Sequence, residues 1–332
     1  MEIKFLNNAK KAIKKFLKSI YYSYAGFAVY DFIQRLSGYK KERQRIFKSI
    51  GYMPNLRNPQ SFNEKVLWKK IHDRNPLLPI ISDKYKVRDY LKEVLGEKEA
   101  EKILIPLFYV TDIPETIPFD SLGEEYVIKP NHASGLFILA ENIEGEKRYT
   151  IVHNDNRIVL SECDRSRKEI VHTCKDWLSI AYGFYQLEWA YQKIKRKIII
   201  EKLLRDADGE PPANYYFTVI HGECRMVAIF YKRHDDKRVE RYTSEQEYVN
   251  FKNRKNPAGY RKKSDNPAPE LELVKILGKP FDYVRVDLYL LNDRIFFSEL
   301  TNYPASGGLP FHQVSDDFEL GSKWKLTGNY WK

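Results

Sequence analysis

The stretch from Val284 to Glu299 constrains this chain more than any other. Val284, Val286, Leu288 and Leu290 alternate with Arg285, Asp287 and Tyr289, the period of a strand with one apolar and one polar face. Asn292-Asp293-Arg294 interrupts, and Ile295-Phe296-Phe297-Ser298-Glu299-Leu300 resumes a β-type composition, so the two runs read as a hairpin. With a three-residue loop over Asn292 to Arg294, Asp287 lies opposite Glu299 and Arg285 opposite Thr301. A two-residue turn would send Glu299 to the face of Val286, a costly burial for an ionised group. Facing carboxylates repel unless a cation lies between them, and an all-oxygen ligand set suits Mg²⁺ bridging to nucleotide phosphates. The alternative is an exposed hairpin with solvated acids.

Two further segments carry candidate chemistry. Tyr126-Val127-Ile128-Lys129 is a strand ending in a lysine, and Pro130-Asn131-His132-Ala133-Ser134-Gly135 continues it into a small-residue turn whose amides can cradle phosphate beside Lys129. An ordinary strand exit is the other reading, and His132 reads as structural. Ile198-Ile199-Ile200-Glu201 is a buried strand that becomes a linker through Lys202, Leu203 and Leu204. Exposed backbone there can meet an adenine edge, with Asp206 or Asp208 on a ribose hydroxyl. Further strands are predicted at Tyr215 to Ile220 and Met226 to Tyr231, and a helical region around Arg165 to Ile194; the mixture is α+β.

The N-terminal part reads as helical. Ala9, Ile13, Phe16, Leu17, Ile20 and Tyr24 share one helical face over residues 9–24, while Lys10, Lys11, Lys14, Lys15 and Lys18 occupy the rest. Such a basic amphipathic helix packs on the body or lies on a membrane surface or partner. Ser61-Phe62-Asn63-Glu64 has capping-box spacing and predicts a helix through Ile71. A second helix is predicted from Ser82 or Asp83 to before Gly96, with Val87, Tyr90, Leu91, Val94 and Leu95 as its stripe. Lys84 in its first turn opposes the helix dipole and so calls for an anion. Lys252 to Pro269, rich in Lys, Asn and Pro, reads as a loop.

Composition narrows the function classes. The 332 residues suffice for two lobes, and 43% hydrophobic with 30% charged residues is the mixture of a folded globular protein. A net charge of +11 implies an anionic partner, but no nucleic-acid motif accompanies it, so nucleic acid is not expected. Cys163, Cys174 and Cys224 are too few and scattered for a disulfide framework or a zinc pair, which suggests a reducing cytoplasm. No apolar run approaches the roughly 20 residues that span a bilayer. The run from Ser19 to Tyr30 is too polar for a signal peptide.

In chain order, Asp83-Lys84, Lys129, Glu201-Lys202, Arg285-x-Asp287 and Glu299 resemble the ATP-grasp superfamily, in which two α+β lobes hold ATP between them. More narrowly, Asn58-Pro59-x-x-Phe62-Asn63-Glu64-Lys65, Asp73-Arg74-Asn75-Pro76, Asp83-Lys84-Tyr85-x-Val87-Arg88, Lys129-x-Asn131-His132-x-Ser134-Gly135 and Glu299-Leu300-Thr301-x-Tyr303-Pro304-x-Ser306-Gly307 resemble the TupA-like ATP-grasp family of polysaccharide biosynthesis, over about residues 50 to 325. The resemblance implies an N-terminal helical extension over 1–50, a helical region over 51–120, an N-lobe over 121–200 and a C-lobe with the metal site over 201–332. It implies that Lys84 and Lys129 contact ATP, that Glu201 through Leu204 line the adenine pocket, and that Asp208 bonds ribose. Asp287 and Glu299 would hold Mg²⁺, and Arg285 would stabilise the transferring phosphoryl group.

Two positions depart from the family pattern. Where many ATP-grasp enzymes carry a metal-binding Asn two residues after the glutamate, this chain has Thr301 with Asn302 next, so either is the candidate ligand. Asn214-Tyr215-Tyr216-Phe217 stands where the family usually shows Asp-Tyr-Lys-Phe, removing a cation for which Lys232 or Arg233 is the candidate replacement. The implied activity is a cytoplasmic carboxylate–amine ligase. Its implied partners are ATP, an amino acid or amine, and an acidic polysaccharide or lipid-linked precursor, with residues 9–24 near the inner membrane face. The rival is a nucleotide-sugar glycosyltransferase using Asp206-Ala207-Asp208 as a metal-binding DxD.

Overall fold

A computed structural model of the chain describes residues 22–154, 156–206, 209–233, 236–243, 269–291 and 294–326. Residues 9–21 of the expected basic segment over 9–24, Asp208, residues 252–268 of the expected loop over 252–269 and the hairpin residues Asn292 and Asp293 lie outside them. Among the described residues the strands are β1 (Leu107–Thr111), β2 (Tyr126–Pro130), β3 (Leu136–Ile143), β4 (Glu146–His153), β5 (Asn156–Ser161), β6 (Ile198–Lys202), β7 (Asn214–Ile220), β8 (Glu223–Arg233), β9 (Asp236–Thr243), β10 (Tyr283–Leu291) and β11 (Arg294–Thr301). They form a sheet in the order β1-β6-β2-β3-β4-β5 and another in the order β11-β10-β7-β8-β9. Neighbours in both are antiparallel. The helices are α1 (Tyr24–Leu36), α2 (Lys40–Ile50), α3 (Phe62–His72), α4 (Leu77–Ser82), α5 (Val87–Leu95), α6 (Glu97–Ile103), α7 (Asp164–Ser179), α8 (Pro269–Gly278) and α9 (Val314–Ser322).

Alternation gives each sheet an apolar face and a face free for chemistry. In the first sheet Tyr126, Ile128, Ile138, Ile198 and Ile200 bury against Ile170, Cys174 and Trp177 of α7. Val127, Lys129 and Glu201 therefore face the other way. In the second, Phe217, Val219, Val284, Val286 and Leu288 share a core with Phe62 and Leu67 of α3, Val87 and Leu91 of α5, and Leu277 of α8. Arg285, Asp287 and Tyr216 are left on the opposite face. Each such apolar side chain contributes about 1.5–3 kcal/mol by leaving water.

α3 starts as its sequence predicts: Ser61 accepts the Glu64 amide and Glu64 accepts the Ser61 amide. Its three buried lysines all find partners. Lys65 donates to the Gly321 and Trp324 carbonyls, Lys69 pairs with Asp73 and Asp282, and Lys70 pairs with Glu42. Lys70 and Arg45 both donate to the Ser306 carbonyl at 2.8 Å, which pins the chain just beyond β11 where Ala305 and Ser306 adopt left-handed φ of 45° and 54°.

Several expectations are corrected. Asp83 to Lys86 form a turn between α4 and α5, so Lys84 precedes a helix rather than opening one. α7 stops at Ser179, well short of Ile194, and a short 3₁₀ turn follows at Trp189–Lys193. Ser23 is extended and its side chain accepts the Gly26 amide, so α1 opens at Tyr24, the last residue of the expected segment over 9–24. β6 pairs with β1 as far as Glu201 and with β2 as far as Lys202.

Candidate active site

The acid pair forms, by a different route from the expected loop. Leu291 pairs with Arg294, leaving two residues between the strands, and the register then shifts so that Asp287 faces Glu299 while Leu288 faces Phe297. Ser298 is the extra residue. A one-residue bulge reverses side-chain parity, so it returns Glu299 to the face that a two-residue turn alone would have denied it.

On that face the charges are interlocked. Arg285 donates from Nε to Asp287 Oδ1 at 2.7 Å and from Nη2 to Asp287 Oδ2 at 2.5 Å, a bidentate pair, and Nη2 also reaches Thr301 Oγ1 at 3.1 Å. Thr301 donates to Glu299 Oε1 at 3.0 Å, with Arg285 Nη2 3.5 Å from the same oxygen. Tyr216 sits directly across from Asp287 on β7, and its ring lies under the Arg285 guanidinium, 4.1 Å from centroid to Cζ. The position that loses a cation relative to the family pattern thus supplies a cation–π platform. Burial pushes the Asp287 carboxyl up to about 7 against the pull of Arg285, with Glu299 adding to the rise. Burial also acts to raise Glu299, yet Lys84 and Arg285, helped by Thr301 and Lys129, hold it below the usual carboxylate range. Glu299 keeps 29% of its side chain exposed, so it is the accessible member of the pair.

Lys84 connects the two sheets. Its Nζ donates to the Ala133 carbonyl at 2.8 Å and lies 3.6 Å from Glu299 Oε2. Asn131 holds the turn in place. Its carbonyl accepts the Lys84 amide at 3.0 Å, its Nδ2 donates to Asp83 Oδ1 at 2.8 Å and to the Lys195 carbonyl at 3.0 Å, and its Oδ1 accepts the Lys197 amide at 2.8 Å. His132 beside it is buried, with burial and Arg196 pushing its pKa down to about 3, so it stays neutral and structural. Gly135 follows at φ +74°, where a Cβ would come within 2.7 Å of Asn154 Oδ1. Ser134 is exposed beside it.

Lys129 and Glu201 are diagonal neighbours on β2 and β6 and form an ion pair, with Arg88 Nη1 3.6 Å from the other Glu201 oxygen. Lys202 is exposed and alternation turns it to the opposite face, so only its backbone shares the edge with Glu201; Leu204 is half-buried beyond it. Asp206 Oδ1 accepts the Glu210 amide at 2.9 Å and caps a turn. Asn302 is directed elsewhere: its Nδ2 donates to Ser82 Oγ at 2.8 Å and to the Leu78 carbonyl at 3.3 Å, so Thr301 rather than Asn302 stands with the acids. Lys232 and Arg233 fall at the end of β8, opposite Lys237 and Asp236.

Sequence reading marked Tyr216 only as the loss of a cation and Arg88 only as part of a motif, and assigned neither a role in the site. Tyr216 was legible only once β7 is paired with β10, which sets it across from Asp287. Arg88 lies four residues after Lys84, in the first turn of α5, an available but unspecific signal.

Among the described residues, no three His, Cys, Asp or Glu side chains converge. Two carboxylates and a hydroxyl nevertheless match the way Mg²⁺ is held, by one or two carboxylates with phosphate and water oxygens completing the shell. Three cations around them, Lys84, Lys129 and Arg285, match an anionic ligand. The residues therefore fit a magnesium–nucleotide complex.

A family model described as TupA-like ATPgrasp matches residues 64–325. Curated proteins give no match. Among solved structures, the chain is similar to the D-alanine–D-alanine ligase of Bacillus anthracis complexed with ATP, with 14% identity over 73% of this chain and 66% of that one and a TM-score of 0.36. It is similar to the D-alanine–D-alanine ligase of Helicobacter pylori at 13% identity, 80% and 70% coverage and a TM-score of 0.38. For an N5-carboxyaminoimidazole synthase of Aspergillus clavatus in complex with ADP, the values are 12%, 72%, 47% and 0.36. The chain spans just under two thirds of the first of these and under half of the last.

Proposed function

This chain belongs to the TupA-like ATP-grasp family, a family of ATP-dependent ligases, and from that premise we propose that it activates a carboxylate with ATP and joins it to an amine. The observation that carries the reading is the pairing of Asp287 with Glu299 on one sheet face, with Arg285 bonded between them and Lys84 reaching over from the other side. Bound Mg²⁺, held by Asp287, Glu299 and Thr301, would offset the charge of the phosphates.

In the reaction, a substrate carboxylate oxygen attacks the γ-phosphorus, ADP leaves, and an acyl phosphate forms. The amine nitrogen then attacks the acyl carbon, phosphate leaves, and the amine proton passes to solvent. Both reacting partners are anionic, so positioned cations lower the barrier by countering their repulsion. Lys84, tethered through Ala133 and Asn131, and Lys129, held by Glu201, are fixed point charges for phosphate oxygens. Arg285, oriented by Asp287, Thr301 and the Tyr216 ring, is aimed where charge develops during transfer. Glu201 to Leu204 line the adenine side, Ser134 and Gly135 cover the phosphates, and Asp208 takes the ribose.

For substrates, the reading extends to an amino acid or amine and a uronic-acid-containing surface or capsular polysaccharide, or its lipid-linked precursor. A net charge of +11 supports an acidic acceptor, and a cytoplasmic protein with its basic segment over 9–24 near the inner membrane face would meet such a precursor.

The test is the melting temperature with ATP and Mg²⁺. Ligand at 100 Kd stabilises by about 2.7 kcal/mol, roughly 5–10 °C for lobes of this size. Glu299→Gln and Asp287→Asn should each lose that shift. No shift with ATP and Mg²⁺, but one with a UDP-sugar and Mn²⁺, would refute the reading.

A further inference from the structure

Helix α1 is inverted with respect to solvent. Phe27 and Gln34 are buried on its inner side, and Tyr30 packs against Phe184 and Tyr185. On the opposite side Val29, Phe32, Ile33 and Leu36 are 60%, 59%, 54% and 73% exposed. Their spacing of three and four residues places them on one continuous stripe, the pattern a helix uses to bury itself. A solvated face has no use for four large apolar side chains in a row, and a stripe of this kind marks a surface that something covers.

Charge identifies what covers it. Twelve Lys and Arg stand against three Asp and Glu in residues 1–50, a net of +9, so the remainder of the chain contributes only +2 to the total of +11. Six of those cations precede α1 in sequence, from Lys4 to Lys18, and Arg35, Lys40, Lys41 and Lys48 are exposed within or just after it. An apolar stripe bordered by cations is the composition of a helix that lies in the interface of an anionic bilayer, its apolar side among the acyl chains and its lysines on the headgroups. An acidic polymer would satisfy the charge but not the stripe, and a second copy would satisfy the stripe while bringing like charges together. We propose that the outer face of α1 docks the enzyme on an anionic lipid surface. The stripe shares no residue with the acid pair, and the proposal does not depend on the ligase reading. Among the described residues no helix is long and apolar enough to cross a membrane, so the contact is with the surface.

The experiment is co-sedimentation of the full chain with vesicles of phosphatidylcholine alone or with phosphatidylserine added, at low and high salt. Wild type should bind the anionic vesicles at least tenfold more tightly than the neutral ones, and high salt should weaken that binding. The variant Val29→Ser/Phe32→Ser/Leu36→Ser should bind the anionic vesicles at least tenfold less tightly with its melting temperature within a few degrees of wild type. Phe32→Trp, which keeps the stripe apolar, should show a fluorescence blue shift on adding anionic vesicles. Equal binding by the triple variant, no vesicle binding, or no blue shift would overturn the proposal. So would concentration-dependent dimerisation that the triple variant abolishes, since the stripe would then belong to a second copy.

Discussion

Replacing Asn131 by alanine should separate the stability of the site from its chemistry. The side chain is fully buried and makes four hydrogen bonds, to Asp83, to the Lys195 carbonyl, to the Lys197 amide and, at 3.3 Å, to His132 Nδ1. Truncation leaves Asp83 its bonds from the Tyr85 and Lys86 amides, but takes the side-chain partner from the partly buried Lys195 carbonyl and Lys197 amide. A buried polar group without a partner costs about 1–3 kcal/mol; these two are only partly buried, so about 1 kcal/mol each, with about 1 for the bond lost to Asp83, gives about 3 kcal/mol. For a lobe of this size that is a fall in melting temperature of roughly 6–12 °C. Nucleotide affinity should fall as well, because the turn carrying Lys84 is tied to Asn131. Lys84→Ala is the control: its side chain is the proposed ligand contact, not the staple, so it should lose nucleotide binding while costing about 1 kcal/mol or less in stability. Urea unfolding with nucleotide titration on both variants makes the comparison. If Asn131→Ala costs under about 1 kcal/mol, the staple argument is wrong.

Four other outcomes follow from the same geometry. Arg285→Lys keeps the charge but loses the bidentate bond to Asp287 and the stack on Tyr216, so turnover should drop by about 10²–10³ with nucleotide affinity changed only a few-fold; a steady-state split of kcat from KM decides it. Tyr216→Leu removes the cation–π platform alone and should cost about 0.5–2 kcal/mol of transition-state stabilisation, visible as a smaller loss in kcat/KM than that of Arg285→Lys. Because Asp287 titrates near 7 when folded and near 4 when unfolded, its contribution to stability is complete below about pH 4 and is lost as pH rises through about 7, with a slope of at most about 1.4 kcal/mol per unit; urea unfolding of the ligand-free protein across that window should show the slope, and Asp287→Asn should flatten it. Gly135→Ala forces a side chain into left-handed backbone and against Asn154, and should lower the melting temperature by several degrees.

How much of this was legible in the sequence depended on the range of the interactions. Elements set by neighbours along the chain are visible: the Ser61–Glu64 capping box, the alternation of β10, and the isoleucine run of β6 all form where local pattern puts them. Strands β3, β4 and β5 were missed because none alternates cleanly: β3 carries Phe137 and Leu139 on the face opposite Ile138 and Ala140, β4 buries four residues in a row from Tyr149 to Val152, and β5 leaves Ile158 and Val159 exposed. Lys65, Lys69 and Lys70 look like the solvated side of an amphipathic helix, yet they are buried. Their partners include Trp324, Asp282 and Ser306, more than two hundred residues away, and no local pattern encodes a contact of that range.

The acid pair shows why a correct partial reading can rest on a wrong step. Burying an ionised Glu299 in the core beside Val286 is too costly, so the carboxylate had to share the face of Asp287 whatever the loop did. That constraint acts on parity, and parity can be met either by a three-residue loop or by a two-residue turn with a bulge. The chain uses the second, with Ser298 as the added residue. Energetics therefore fixed which side chains meet while leaving the backbone route open. The same reasoning explains why Thr301 is found with the acids and Asn302 is not. The two residues next to each other must point to opposite faces, and only Thr301 has the parity of Glu299. Asn302, turned the other way, finds Ser82 and Leu78 instead, tying the end of β11 to α4 and so to the turn that carries Lys84.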